Sequence, residues 1–163
     1  NYGLEFTFEQ ALNKWWKING NSSFFKNEIT GNVDGNSASN YSYLGRFNSI
    51  CTPSKGLSFQ LIANYAGPIV GVYSRMEPQF SMDCAVKKDL LKNKLSLTLR
   101  ASDVFNSLKN SYTAWGSNFT ADNWRKTETR VLYFSISYSF GSNGNSKSSK
   151  SIIQNESKPS TEI

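Results

Sequence analysis

Histidine is absent from this chain. Its absence removes Ser-His-Asp and Cys-His catalysis together with every His-containing metal site. Cysteine is scarce, with Cys51 and Cys84 the only two, and the strand pattern described below puts them on strands separated by another. Next-but-one strands lie about 10 Å apart, beyond disulfide reach, so both are expected to be unpaired small hydrophobes. No apolar run approaches the length of about 18 residues that a transmembrane helix needs. Charge is also low, at 18% of residues. Neither a phosphate-cradling Gly-Lys-Ser/Thr loop nor a Gly-x-Gly-x-x-Gly fingerprint occurs. Ser23-Phe24-Phe25-Lys26 spells Ser-x-x-Lys, but its Ser-Asp-Asn and Lys-Thr-Gly companions are missing and it falls in a predicted strand, so chance explains it. Asp83, Asp103 and Asp122 have no spacing that recommends an acid/base pair, and they read as solvated or lumen-facing charges. No enzyme and no cofactor are expected.

The net charge of +6 raises the question of nucleic acid. Lys and Arg are scattered over turns, strand ends and the tail instead of forming one basic stripe, so no nucleic-acid partner is expected. Because the chain opens with Asn1 and carries no signal-peptide core, it reads as a processed protein or a piece of a longer one.

Aromatics reach 14%, and Ser, Asn and Gly crowd out the residues that build helices, which favours an all-β protein. Negative mean hydropathy does not exclude a membrane barrel, whose strands alternate lipid-facing apolar and lumen-facing polar residues. Seven segments show that alternation. They are Leu4–Glu9, Trp15–Ile29 (the least regular), Tyr41–Cys51, Leu57–Tyr65, Phe80–Leu90, Leu95–Arg100 and Phe134–Phe140. In the third, Leu44 and Ile50 fall on the polar face as mismatches.

The connections alternate as well. Tight links at Asn13-Lys14, Thr52-Pro53-Ser54-Lys55 and Lys92-Asn93 take turns with long segments over 30–40, 67–79 and 106–126. Short periplasmic turns alternating with long outer loops are the rule for outer-membrane barrels, and a soluble sandwich has no reason to obey it. Trp15, Trp16, Tyr41, Tyr43, Tyr65, Phe80 and Phe105 fall near predicted strand ends, where amphipathic rings prefer the headgroup layer. The expected fold is therefore all-β: an antiparallel up-and-down transmembrane β-barrel segment of about seven strands, an incomplete barrel in the bacterial outer membrane. Residues 1–141 form this portion, and 142–163 are expected as a disordered polar tail.

Trp15-Trp16-Lys17-Ile18-Asn19-Gly20-Asn21, Asn64-Tyr65, the Lys94–Leu99 run leading into Ser102-Asp103-Val104-Phe105-Asn106, and Tyr133–Gly141 together give the chain a family likeness. From Tyr2 to about Gly141 it resembles the C-terminal third of Bacteroidota outer-membrane receptors of the TonB-dependent type. The resemblance implies a barrel of about 22 strands, an N-terminal plug that this chain lacks, an inner-membrane energy-coupling complex and a small nutrient solute. Phe140 is followed by a further polar segment, a departure from barrels that finish on a terminal aromatic.

Candidate ligand-binding residues are Arg46 and Arg100 on the lumen face, where a guanidinium can clamp carboxylates or phosphates, and Tyr112, Trp115 and Trp124 on the last long loop, whose rings can stack on sugars or peptides or anchor at the interface. Asp34 in Asn32-Val33-Asp34-Gly35-Asn36 reads either as a weak calcium ligand or as a plain turn. Three rivals stand beside the receptor reading. They are a non-transporting adhesin or structural barrel, a complete eight-stranded barrel, and a secreted β-sandwich binding glycans through Trp115 and Trp124.

Overall fold

A computed structural model describes residues 2–30 and 37–140; Asp34 and the expected tail lie outside the described residues. Seven strands form one antiparallel meander: β1 (Tyr2–Asn13), β2 (Trp16–Thr30), β3 (Ser37–Ser54), β4 (Leu57–Ala66), β7 (Gln79–Leu90), β8 (Leu95–Ala101) and β11 (Leu132–Tyr138). They match the seven periodic segments one for one. Each pairs with its chain neighbour along this series, and β1 and β11 stand at the two open edges. The sheet is a barrel wall that does not close on itself.

Register fixes which side chains share a face, because residues paired across a ladder point the same way. Phe24 pairs with Tyr43, Phe47 with Ala63, Leu61 with Cys84, Val86 with Leu99 and Leu99 with Phe134. The apolar halves of all seven alternations thus fall on one surface. The other surface gathers Glu5, Asn19, Arg46, Asn48, Gln60, Asp83, Arg100 and Ser135, and Leu44 and Ile50 lie on it as the alternation requires.

The apolar surface is open. Phe134 is 64% and Ile136 63% exposed, and no strand of another sheet is stacked over them among the described residues. A soluble sandwich would bury these side chains, so that reading is corrected by the fold itself. The least exposed aliphatic residues, Ile62 and Ala85 at 2%, sit instead on the polar surface beside buried Gln60 and Asn48. Burial there without a covering layer marks the concave side, where neighbouring side chains screen one another. Asn48 Nδ2 donates to Asn19 Oδ1 at 3.3 Å and Gln60 Nε2 to Asn48 Oδ1 at 2.8 Å, so the crowded amides satisfy each other across β2, β3 and β4.

Aromatic rings line up at both ends of the apolar surface. Towards the loops, Phe24 and Tyr43 centroids are 4.6 Å apart, Tyr43 and Tyr65 5.7 Å, and Phe80 and Phe105 6.3 Å. Towards the turns, Trp15 stacks on Trp16 at 6.0 Å, and Trp16 Nε1 donates to Ser49 Oγ at 2.9 Å. Trp16 and Phe24 are about 27 Å apart along the strand. At the usual barrel tilt of about 40° that spans about 20 Å of membrane depth, near the height of the apolar band of such barrels.

The turns between wall strands are short, as the alternation suggested. β1 passes to β2 through Lys14-Trp15, and Asn13 Oδ1 accepts the Trp15 N–H at 2.9 Å. β3 runs on to Ser54 because a register shift between Cys51 and Ser54 absorbs Pro53, whose missing N–H cannot serve a regular ladder. Gly56 then turns the chain at φ +70°, a left-handed conformation costly for a residue with a Cβ. Cys51 and Cys84 are free, on β3 and β7 with β4 between them.

The long loops are more regular than expected. β2 and β3 stay paired out to Thr30 and Ser37, well into the segment read as loop. Segments 67–79 and 106–126 supply a second sheet, in the order β10 (Phe119–Arg125), β9 (Asn110–Gly116), β6 (Ser74–Met76), β5 (Ile69–Val70). Two separate outer loops therefore share one set of ladder hydrogen bonds.

Candidate functional site

The second sheet is held to the wall at its base. Asp103 ends β8 in a left-handed turn at φ +40° and is 2% exposed. Its Oδ1 accepts the Ser107 N–H at 2.9 Å and the Ser107 hydroxyl at 3.2 Å, while its Oδ2 accepts the Leu108 N–H at 3.0 Å and the Thr129 hydroxyl at 2.5 Å. One carboxylate thus closes both the outgoing and the returning arm of the last loop. Burial by itself would raise its pKa, but the hydrogen bonds from Thr129, Leu108 and Ser107 together outweigh it and hold the group below the ordinary carboxylate range. On the wall, Asp83 Oδ1 accepts the Asp103 N–H at 3.0 Å and its Oδ2 accepts from Arg100 at 3.1 Å. The Ser107 hydroxyl proton is shared between Asp103 and the Phe80 carbonyl, which lies 2.7 Å from its oxygen, and Lys126 Nζ donates to the Leu108 carbonyl at 2.9 Å. The loop leaves the barrel on a rigid footing.

A cleft of about 520 Å³ lies on the second sheet, bordered by Trp124, Asp122, Thr113, Glu77, Lys109 and Lys126. β9–β10 register puts Trp115, Thr113 and Ser111 on the same face as Thr120, Asp122 and Trp124. Thr113 Oγ1 donates to Asp122 Oδ1 at 2.6 Å, and Arg75 pairs with Glu77 at 3.2 Å. Trp124 is 73% exposed. An open aromatic ring flanked by fixed carboxylates and ammonium groups offers a stacking plane together with both hydrogen-bonding polarities.

The five residues expected to bind ligand fall in three places. Tyr112 and Trp124 both border the cleft, whereas Trp115, on the same ladder face as Trp124, does not line it. Arg46 borders a smaller hollow of about 310 Å³ on the polar wall, with Thr7, Glu9, Asn19 and Asn21. Arg100 is engaged by Asp83 and lies 5.5 Å from the Tyr133 ring centre, so its guanidinium braces the wall. Arg46 and Arg100 are three strands apart and do not form a joint clamp. Among the described residues no three of Cys, Asp and Glu converge as a metal site.

Sequence reading passed over Glu77, Thr113, Lys109 and Lys126. The hairpin that unites Thr113 with Asp122 was legible in principle, because apolar and polar residues alternate on both sides of Gly116-Ser117-Asn118. The pairing of β9 with β6, which brings Glu77 to the site, leaves no local signal.

The open apolar surface, the two aromatic rows and the turn–loop alternation together meet a direct comparison. Residues 1–138 match the outer membrane protein beta-barrel family. The chain belongs to this family. It is an outer-membrane protein of a bacterium, and its apolar surface is the face that meets lipid. No curated protein and no solved structure matches the chain. With the barrel oriented by its turns, the second sheet stands on the extracellular side and the cleft opens to the medium.

Proposed function

We propose that this barrel wall belongs to a receptor of the TonB-dependent type, which captures a nutrient at its outer loops and admits it with energy relayed from the inner membrane. In this reading the plug and the further barrel strands come from other parts of the parent protein, and the polar surface faces the plug and the passing solute. The observation that carries the reading is the joint sheet of two outer loops, which sets the Trp124 cleft above a continuous polar wall. A barrel with only a structural task has no need to build its loops into a rigid, aromatic-bearing platform. A non-transporting adhesin is the second reading, and the same exposed Trp124 speaks for it.

The test uses the native bacterium with the gene intact or deleted, grown on a mixture of candidate nutrients with and without a protonophore. Wild-type cells are expected to deplete at least one solute that deletion cells and protonophore-treated cells leave in the medium. Equal depletion in all three conditions would end the transport reading. Surface binding of a solute that survives the protonophore, with no internal accumulation, would favour the adhesin.

A further inference from the structure

The positive charge of this protein is gathered at one end of the wall. Within four residues of the three tight turns lie Lys14 and Lys17 at the first, Lys55 at the second, and Lys87, Lys88, Lys92 and Lys94 around the third, against a single acid, Asp89. Asp89 pairs with Lys87 at 3.2 Å. The remaining six lysines are exposed and have no carboxylate partner among the described residues. At the loop end the signs are mixed: Lys26 pairs with Glu28 and Arg75 with Glu77, while Asp103, Asp122 and Glu128 offset Lys109, Arg125 and Lys126. Along the chain the lysines look scattered. The meander brings them to one rim.

The same rim carries the stacked Trp15 and Trp16, and Leu12 and Leu91 are exposed beside it. Lys88 is the informative member. It pairs with Leu57 and with Leu97, so its stem lies on the lipid-facing surface among apolar neighbours. An ammonium there is favourable only if the chain extends to an anionic layer at the membrane edge. Indole rings at headgroup depth with unpaired lysines just beyond them match a layer of phosphate in both height and sign.

We propose that the turn rim is a docking surface for anionic phospholipid headgroups of the inner leaflet of the outer membrane. Lys88 reaches the phosphates from the lipid side, and Lys14, Lys55 and Lys92 reach them from the turn tips. The inference goes beyond transport and holds whether or not the barrel moves a solute.

The full-length parent protein, in nanodiscs of phosphatidylcholine with and without phosphatidylglycerol, provides the test. Native mass spectrometry is expected to show phosphatidylglycerol retained several-fold over phosphatidylcholine, with the preference fading as salt rises. Replacing Lys14, Lys55, Lys88 and Lys92 together by Gln should abolish the preference, and replacing the same four by Arg should keep it. Lack of selectivity in the unmodified protein, or selectivity indifferent to salt, overturns the proposal even if the Gln variant fails to fold. Binding to purified cell-wall sacculi in preference to phosphatidylglycerol discs would also overturn it, by assigning the lysines to an acidic polymer.

Discussion

Asp83 accepts the main-chain N–H of Asp103 at 3.0 Å, so a side chain in the middle of a wall strand fixes the point where the last outer loop departs. Asp103 in turn binds both arms of that loop, and the cleft residues Thr113, Asp122 and Trp124 all hang from this footing. Loop geometry and wall geometry are therefore coupled through two adjacent carboxylates.

Asp103→Ala should release the loop. Each hydrogen bond to a buried carboxylate contributes about 1.5–3 kcal/mol, and the substitution leaves the Thr129 hydroxyl and two main-chain N–H groups without their acceptor. Trypsin should cut at Lys109, Arg125 or Lys126 about tenfold faster or more than in the unmodified protein. An unchanged cleavage rate would mean that the second sheet is held by its ladder alone.

Acid should have the same effect as the substitution. The Asp103 pKa is depressed in the folded protein, so its contribution is fully present above the unfolded value of about 3.9 and is lost as pH falls through the lower folded value. Amide exchange at Ser107 and Leu108 should therefore quicken only below about pH 4. Quickening that begins near neutrality would assign the linkage to another group.

Lipid and lumen faces should respond oppositely to charge. Phe134→Lys places an ammonium on the exposed apolar surface and should cost about 2–4 kcal/mol of unfolding free energy in lipid vesicles. Ser135→Lys, one residue on and on the polar surface, should cost less than about 1 kcal/mol. Equal costs at the two positions would contradict the assignment of faces.

Under the proposed receptor reading, Trp124→Ala should weaken solute capture about two- to tenfold, the range of a single aromatic stacking contact. Trp115→Ala should do less, because Trp115 does not line the cleft. Calorimetry on the full-length protein with the solute found by depletion would measure both. A larger loss from Trp115 would relocate the site.

Strand positions were legible because, among the described residues, no second sheet packs over the apolar face of the wall strands. Their alternation reports directly on lipid and lumen, without the mixed demands of a packed core. Leu44 and Ile50 looked like errors in that pattern, yet they occupy the polar surface as the alternation demands. Ile62, on the same surface, shows why this is tolerated: the concave side crowds its side chains until even an aliphatic residue is screened from water. The loop segments were misread as irregular because β5 and β6 are only 2 and 3 residues long, too short to show a period, and they become strands only by pairing with each other and, through β6, with β9.

By itself the sequence determined the class, the seven wall strands, their faces and the alternation of turns and loops, since all of these follow from side-chain periodicity against two solvents. Tertiary structure alone decided which distant residues meet. It joined two outer loops into one sheet, paired Arg100 with Asp83, made Asp103 the anchor of a loop, and drew scattered lysines to a single rim. Those outcomes depend on register between segments far apart in the chain, and pairing register is set by the whole sheet and not by any stretch of sequence within it.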